Sequence, residues 1–498
     1  MVTDADAPES ILARATHSQR STLLSHFIRV LCKVLSVLVL ARLVAPADHG
    51  LYAMAGSLTL FLTVFRDFGL GGAAVQAPRL TEDDRTTLYR AHLFLGFALC
   101  LATLALIPAL VWFYDQPRLA PLLAVMSVHF LFLGYNAWPR VLLARDLQFP
   151  TLNRIETSAV VLATAVMIAA GALDAGAYSF AAFLLTFESS LMFLAWRACP
   201  WRPRGRFDFR RLRPLLRTGT DLTGLQTISY FAAHLDTFAV GRWFGPRFLG
   251  LYARPAQLLI LPVQHIATPL AQVLAAALSR TSPQSDEFRI QLFRTTNLIL
   301  HLTFPFATCC IALPLETTRI VLGPDWLDAS PFLRWFGVGA LFVALNATLQ
   351  PLALALRRTR RLAGFALFSL IVTSCAVFIA RDSGPVAIAA AVALVQGFLL
   401  LPRLAWIVHA SEIRLRDFAS AAFGPILASA AFATGLIAGK VVSAHTSAPF
   451  RFAVALACGG ACIALATTLS ARLRDELRYV WSHLPGRAAS SPSAKGSE

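Results

Sequence analysis

Fourteen predominantly apolar stretches follow one another from residue 19 to residue 470. Each is near or above the roughly 20 residues that a helix needs to cross a hydrocarbon core of about 30 Å. In hydrocarbon a backbone must satisfy its own N–H and C=O groups, so such stretches fold as helices. The helices are predicted at 19–44, 48–74, 86–113, 119–144, 151–172, 177–199, 215–242, 248–278, 289–314, 329–356, 362–380, 385–408, 418–440 and 449–470. With 57% apolar residues, 14% charged residues and a mean hydropathy of +0.63, nothing of soluble-domain size is left between them. The expected fold class is an all-α polytopic membrane protein.

A net charge of +17 would suit nucleic acid only if the Lys and Arg side chains clustered on one face. Here they alternate between loops. On the side holding both tails and the even-numbered loops lie 31 Lys and Arg, against 10 on the other side. The bias places the first set, the 1–18 tail and the 471–498 tail in the cytoplasm. The N-terminus carries Asp4, Asp6 and Glu9 and lacks the basic start of a secretory signal, so the first span is expected to be retained. The eight cysteines fall in or beside apolar spans without a Cys-x-x-Cys pair, which reads as small buried hydrophobes, with no metal and no cofactor expected.

The chain is also duplicated. Ala41 to Phe61 matches Gly241 to Leu261 at an offset of 200, pairing Arg42 with Arg242, Pro46 with Pro246, and Gly50-Leu51-Tyr52-Ala53 with Gly250-Leu251-Tyr252-Ala253. Pro121 to Leu142 matches Pro331 to Leu352 at an offset of 210, with Asn136 opposite Asn346. Repeats in a transporter read as two lobes. The expected organisation is an N-lobe at 19–199, a basic cytoplasmic linker at 200–214, a C-lobe at 215–408 and two extra helices within 418–470. Six helices precede the linker, so the repeats run parallel.

Ionisable groups inside spans cost roughly 2.5 to 3.5 kcal/mol each on insertion scales and normally face a bundle interior or a watery cavity. Arg29 and Lys33 are four residues apart, on one face of the first span, and invite an anion. Arg66 sits at similar depth in the second span, so three cations can converge in the N-lobe as a candidate anion site. The matching C-lobe positions are Ser229 and Ala233. That lobe instead carries Asp236, Arg242 and Arg254 toward its periplasmic end, a candidate gate in which Asp236 pairs with Arg254. Glu188 is the candidate titrating carboxylate, with Glu156 nearer a helix start.

The run Phe65-Arg66-Asp67-Phe68-Gly69-Leu70 with Ala74-Val75-Gln76, and the run Val240 to Gly245 leading into Leu249-Gly250-Leu251-Tyr252 and Gln257-Leu258-Leu259, carry a resemblance. Pro262, Gln264, Pro269-Leu270 and Leu278-Ser279-Arg280 extend it. The chain resembles the polysaccharide-transporter branch of the multidrug/oligosaccharidyl-lipid/polysaccharide exporter superfamily, the Wzx-type flippases, and within it the colanic-acid-exporter group. The resemblance implies two six-helix lobes forming a V around a central cavity. It also implies export of lipid-linked oligosaccharide across the inner membrane, with a polysaccharide polymerase and chain-length machinery as partners. In the helix that begins near residue 215, Leu235-Asp236 lacks the Asn that often precedes the acid in the family.

Three functions compete on this reading. A flippase wants cations for a polyprenyl pyrophosphate; a drug/cation antiporter of the same fold wants buried carboxylates; a membrane polysaccharide polymerase or ligase wants a sizeable periplasmic loop. The cationic N-lobe favours the first, and the longest expected periplasmic loop is about fourteen residues, 315–328.

Overall fold

The computed structural model describes residues 8–66, 70–76, 79–208, 213–409, 413–470 and 473–476. Asp67 and the Phe68–Gly69 part of the motif, Arg210 and Arg211 of the linker, residues 1–7 of the first tail and most of the 471–498 tail lie outside the described residues. Contacts divide the chain into two units, Met1–Gly250 and Leu251–Glu498.

The first unit contains α1 (Pro8–Leu43), α2 (Pro46–Thr63), α3 (Leu70–Gln76), α4 (Glu82–Tyr114), α5 (Leu119–Ser127), α6 (His129–Arg145), α7 (Phe149–Ala172) and α8 (Tyr178–Ala198). Helix α9 (Arg213–Leu278) begins in this unit and ends in the second. There follow α10 (Asp286–Ala312), α11 (Pro314–Val321), α12 (Ser330–Asn346), α13 (Leu349–Ala355), α14 (Thr359–Ile379), α15 (Pro385–Val408), α16 (Leu415–Val442) and α17 (Ala448–Leu469). Ten helical segments among the described residues are long and apolar enough to cross a membrane, and His265–Leu278 and Gly364–Ile379 are shorter apolar helices within two more of the expected spans. Fourteen crossings stand as our proposal for the topology.

Two expected spans differ in detail. The 48–74 span breaks after Thr63 into α2 and α3, with a turn in which the Phe65 and Arg66 amides donate to the Leu62 and Thr63 carbonyls at 3.0 and 3.2 Å. The 215–242 and 248–278 spans are two helices that meet without a loop at a kink within α9, at Gly245, whose φ of 79° and ψ of −178° fall in a region open essentially to glycine.

In the first unit α7 packs on α1 and α8, and α6 on α4 and α8. Without a hydrophobic force between helices in lipid, close packing relies on small residues. Gly96 of α4 and Gly134 of α6 meet this way: a Cβ on Gly96 would lie 2.9 Å from the Gly134 Cα. In the second unit α16 packs on α10 and α17, and α12 on α10 and α15.

The duplicated Gly-Leu-Tyr-Ala motif acquires a physical reading. A side chain on Gly50 would collide with the Pro246 carbonyl, and one on Gly250 with the Pro46 carbonyl. The two copies therefore cross at their glycines in a reciprocal contact, formed by residues that all belong to the first unit. Leu51 and Leu251 are core residues. Tyr52 stacks on Phe180 of α8 with ring centroids 4.5 Å apart, while in the second unit Tyr252 meets Phe336 of α12 edge-on at 4.8 Å.

Candidate functional site

Several ionisable groups of the first unit lie together on four helices. Arg29 of α1 donates from Nη1 to Glu156 Oε2 at 3.0 Å, and Arg140 of α6 donates from Nη2 to Glu156 Oε1 at 2.7 Å. One carboxylate on α7 thus holds two guanidinium groups from two other helices. All three side chains are between a quarter and a third exposed. On α8, Glu188 is buried and accepts from Asn136 Nδ2 at 2.7 Å. Asn136 and Arg140 are four residues apart on α6, hence on one face. Both Arg140 and Arg66 lie close enough to act electrostatically on Glu188.

Lys33 lies one turn beyond Arg29 on α1 and is exposed. Arg66 is exposed in the turn after α2. Thus Arg29 is engaged by Glu156, Lys33 follows it along α1, and Arg66 is linked to Glu188 by its charge. Among the described residues, and with both acids ionised, the four cations Arg29, Lys33, Arg66 and Arg140 exceed the two carboxylates by two positive charges. An uncompensated charge within a membrane-spanning helix is costly unless a watery cavity or an anion receives it, and a diphosphate carries the charge complementary to this surplus. The polar groups include no cluster of three or more His, Cys, Asp or Glu that could hold a metal among the described residues.

The candidate gate residues are dispersed along α9. In the first unit Asp236 is half-buried and accepts from the Thr237 amide at 2.8 Å, and Arg242 is exposed. In the second unit Arg254 is buried and donates to Gln257 Oε1 at 3.0 Å.

Sequence reasoning missed Arg140 and the bridging role of Glu156. The available signal was Asn136, which the duplication pairs with Asn346. In the second unit Asn346 accepts from Arg403 of α15 at 3.3 Å. The matched asparagines therefore hold an acid in one unit and a base in the other, an inversion of charge that the sequence match alone does not show.

Residues 39–331, more than half of the chain, match the family described as "Polysaccharide biosynthesis protein". Among curated proteins, the lipopolysaccharide biosynthesis protein WzxC of Escherichia coli (strain K12) is 23% identical over 365 residues, 73% of each chain. The succinoglycan biosynthesis transport protein ExoT of Rhizobium meliloti (strain 1021) is 21% identical over 76% of this chain and 77% of its own. Among solved structures, the lipid II flippase MurJ in an inward closed conformation superposes with a TM-score of 0.74 at 14% identity, covering 92% of this chain and 99% of that one. An inward-facing multidrug resistance MATE family transporter gives 0.57 at 14% identity over 78% and 95%. The two structures share this chain's all-helical fold, and the family match over residues 39–331 settles its membership: the chain is a multi-pass membrane protein of the polysaccharide biosynthesis protein family.

Proposed function

We propose that this protein flips polyprenyl-pyrophosphate-linked oligosaccharide repeat units across the inner membrane by alternating access, for exopolysaccharide, capsule or O-antigen synthesis. The observation that carries the reading is the surplus of two positive charges that Arg29, Lys33, Arg66 and Arg140 hold over Glu156 and Glu188 among the described residues, with Arg29 and Lys33 on α1 and Arg66 in the turn after α2. Relatives named for lipopolysaccharide and succinoglycan biosynthesis support it, and lipid-linked oligosaccharide is the substrate that joins such pathways to a membrane. The sign of the charge weighs against a drug/cation antiporter, which needs carboxylates in excess.

The cations bind the pyrophosphate while the polyprenyl tail stays in the bilayer. A charge crossing 100 mV changes free energy by roughly 2.3 kcal/mol, so two negative charges leaving a negative interior gain up to about 4 to 5 kcal/mol. Glu156 competes with the pyrophosphate for Arg29 and Arg140, which lets the site give the anion up. Asp236, Arg242 and Arg254 serve as the periplasmic gate, and both termini lie in the cytoplasm. Cells deprived of this protein should accumulate lipid-linked oligosaccharide in the cytoplasmic leaflet, cleared by the wild-type chain; normal export without accumulation would overturn the proposal.

A further inference from the structure

The linker after α8 is held in place. Residues 199–208 run across the first turns of α4 as a strap: Trp201 Nε1 donates to Glu82 at 2.9 and 3.1 Å, the Gly205 amide to Thr86 Oγ1 at 2.9 Å, the Arg206 amide to Asp83 Oδ1 at 2.8 Å, and the Asp208 amide to Thr87 Oγ1 at 3.1 Å. Arg202 fastens the near end, donating to the Cys199 and Trp201 carbonyls at 2.7 Å each and lying 5.2 Å over the Trp196 ring.

Beside the strap opens a cleft of about 520 Å³, lined by Tyr89, Tyr135, Phe193, Trp196, Arg197 and Arg202 among others. Its two ends differ in chemistry. At the strap end Arg197, in the last turn of α8, is exposed, so its guanidinium is available to an anion. The carboxylates along the start of α4 are already engaged, Glu82 by Trp201, Asp83 by Arg206 and Asp84 by Thr81 in a capping box. Away from the strap Phe193 is 62% exposed on a helix apolar enough to span the membrane. Between them stand Tyr135 and Trp196, side chains suited to the level of lipid headgroups.

We propose that this cleft binds an anionic glycerophospholipid from the leaflet on the strap side. Arg197 meets the phosphate, Tyr135 and Trp196 flank the glycerol backbone, and Phe193 meets an acyl chain. A soluble phosphate would leave the apolar end unused, and a zwitterionic lipid would offer Arg197 the same phosphate beside an ammonium that it repels, so its net attraction is weaker. The site is separate from the Arg29–Glu156–Arg140 network, so its failure would leave the proposed flippase reading untouched.

The test is native mass spectrometry of the full chain in detergent with equal amounts of phosphatidylglycerol and phosphatidylethanolamine. Wild type should retain phosphatidylglycerol about fivefold in preference, the worth of one basic residue near an anionic surface. Arg197→Gln should abolish the preference, Arg204→Gln on the strap should keep it, and Phe193→Ala should weaken retention of both lipids alike. Equal retention by wild type, or an unchanged preference in Arg197→Gln, would overturn the proposal. So would displacement of phosphatidylglycerol by a polyprenyl diphosphate, which would give the cleft to the transported lipid.

Discussion

Replacing Glu156 by Gln tests the competition between carboxylate and pyrophosphate directly. The substitution keeps the size of the side chain but removes the charge that Arg29 and Arg140 share at 3.0 and 2.7 Å. The surplus in the network rises from two positive charges to three. At an effective dielectric of about 20, unit charges 4 Å apart interact by about 4 kcal/mol. Because the three side chains are 25 to 33% exposed, solvent screening cuts this to about 1 to 2 kcal/mol, or roughly 5- to 30-fold in affinity. Folding stability moves the other way, since two charge-assisted hydrogen bonds tying α1 and α6 to α7 are weakened, at about 1 to 3 kcal/mol. A less stable protein that binds its ligand more tightly is therefore expected. The assay is titration of purified protein with farnesyl diphosphate, alongside thermal unfolding without ligand and flipping in proteoliposomes, which should slow as release is impeded. A variant that loses stability but binds the diphosphate no more tightly would show that Glu156 only fastens helices.

Three further outcomes are open to measurement. Gly245→Ala should lower stability by about 1 to 3 kcal/mol, because its backbone geometry is closed to other residues although a Cβ there would meet nothing within 4 Å; thermal unfolding at wild-type temperature would contradict this. Burial pushes the Cys199 thiol up from its ordinary range, so less thiolate is present at neutral pH and maleimide labelling should be slow, quickening as pH rises. Thr87→Val removes two strap hydrogen bonds and should speed that labelling, whereas rapid labelling of wild-type Cys199 would refute the buried position. Reporters fused after Arg213 should be active only as cytoplasmic enzymes and those near Asp325 only as periplasmic ones; the reverse pattern would invert the topology.

The parts of the fold legible in the sequence are those set by local physics. Apolar stretches of spanning length marked the helices, and the duplication marked the two Gly-Leu-Tyr-Ala copies, but not that Gly50 and Gly250 meet. The break after Thr63 was not marked in the 48–74 stretch, and the kink at Gly245 needed a backbone angle. In the site, Arg29, Lys33 and Glu188 stood out because charge inside a span is costly. Arg140 did not, because near the end of its span it is indistinguishable from a charge that sets topology. Its partner Glu156 is reached by Arg29 across 127 residues of sequence, a tertiary pairing that spacing cannot encode. The basic linker read as a determinant of orientation, and only the hydrogen bonds to α4 show that 199–208 is a fixed strap.

The central claim is that cations of the first unit carry a lipid pyrophosphate across the membrane. Flipping of lipid-linked oligosaccharide in proteoliposomes under an imposed potential, by an Arg29→Ala, Lys33→Ala, Arg66→Ala variant reconstituted at wild-type protein levels, tests it most directly. Losing three cations at even about 1 kcal/mol each predicts a fall of about 100-fold or more. Wild-type flipping by that variant would contradict the account and leave these residues a structural role alone.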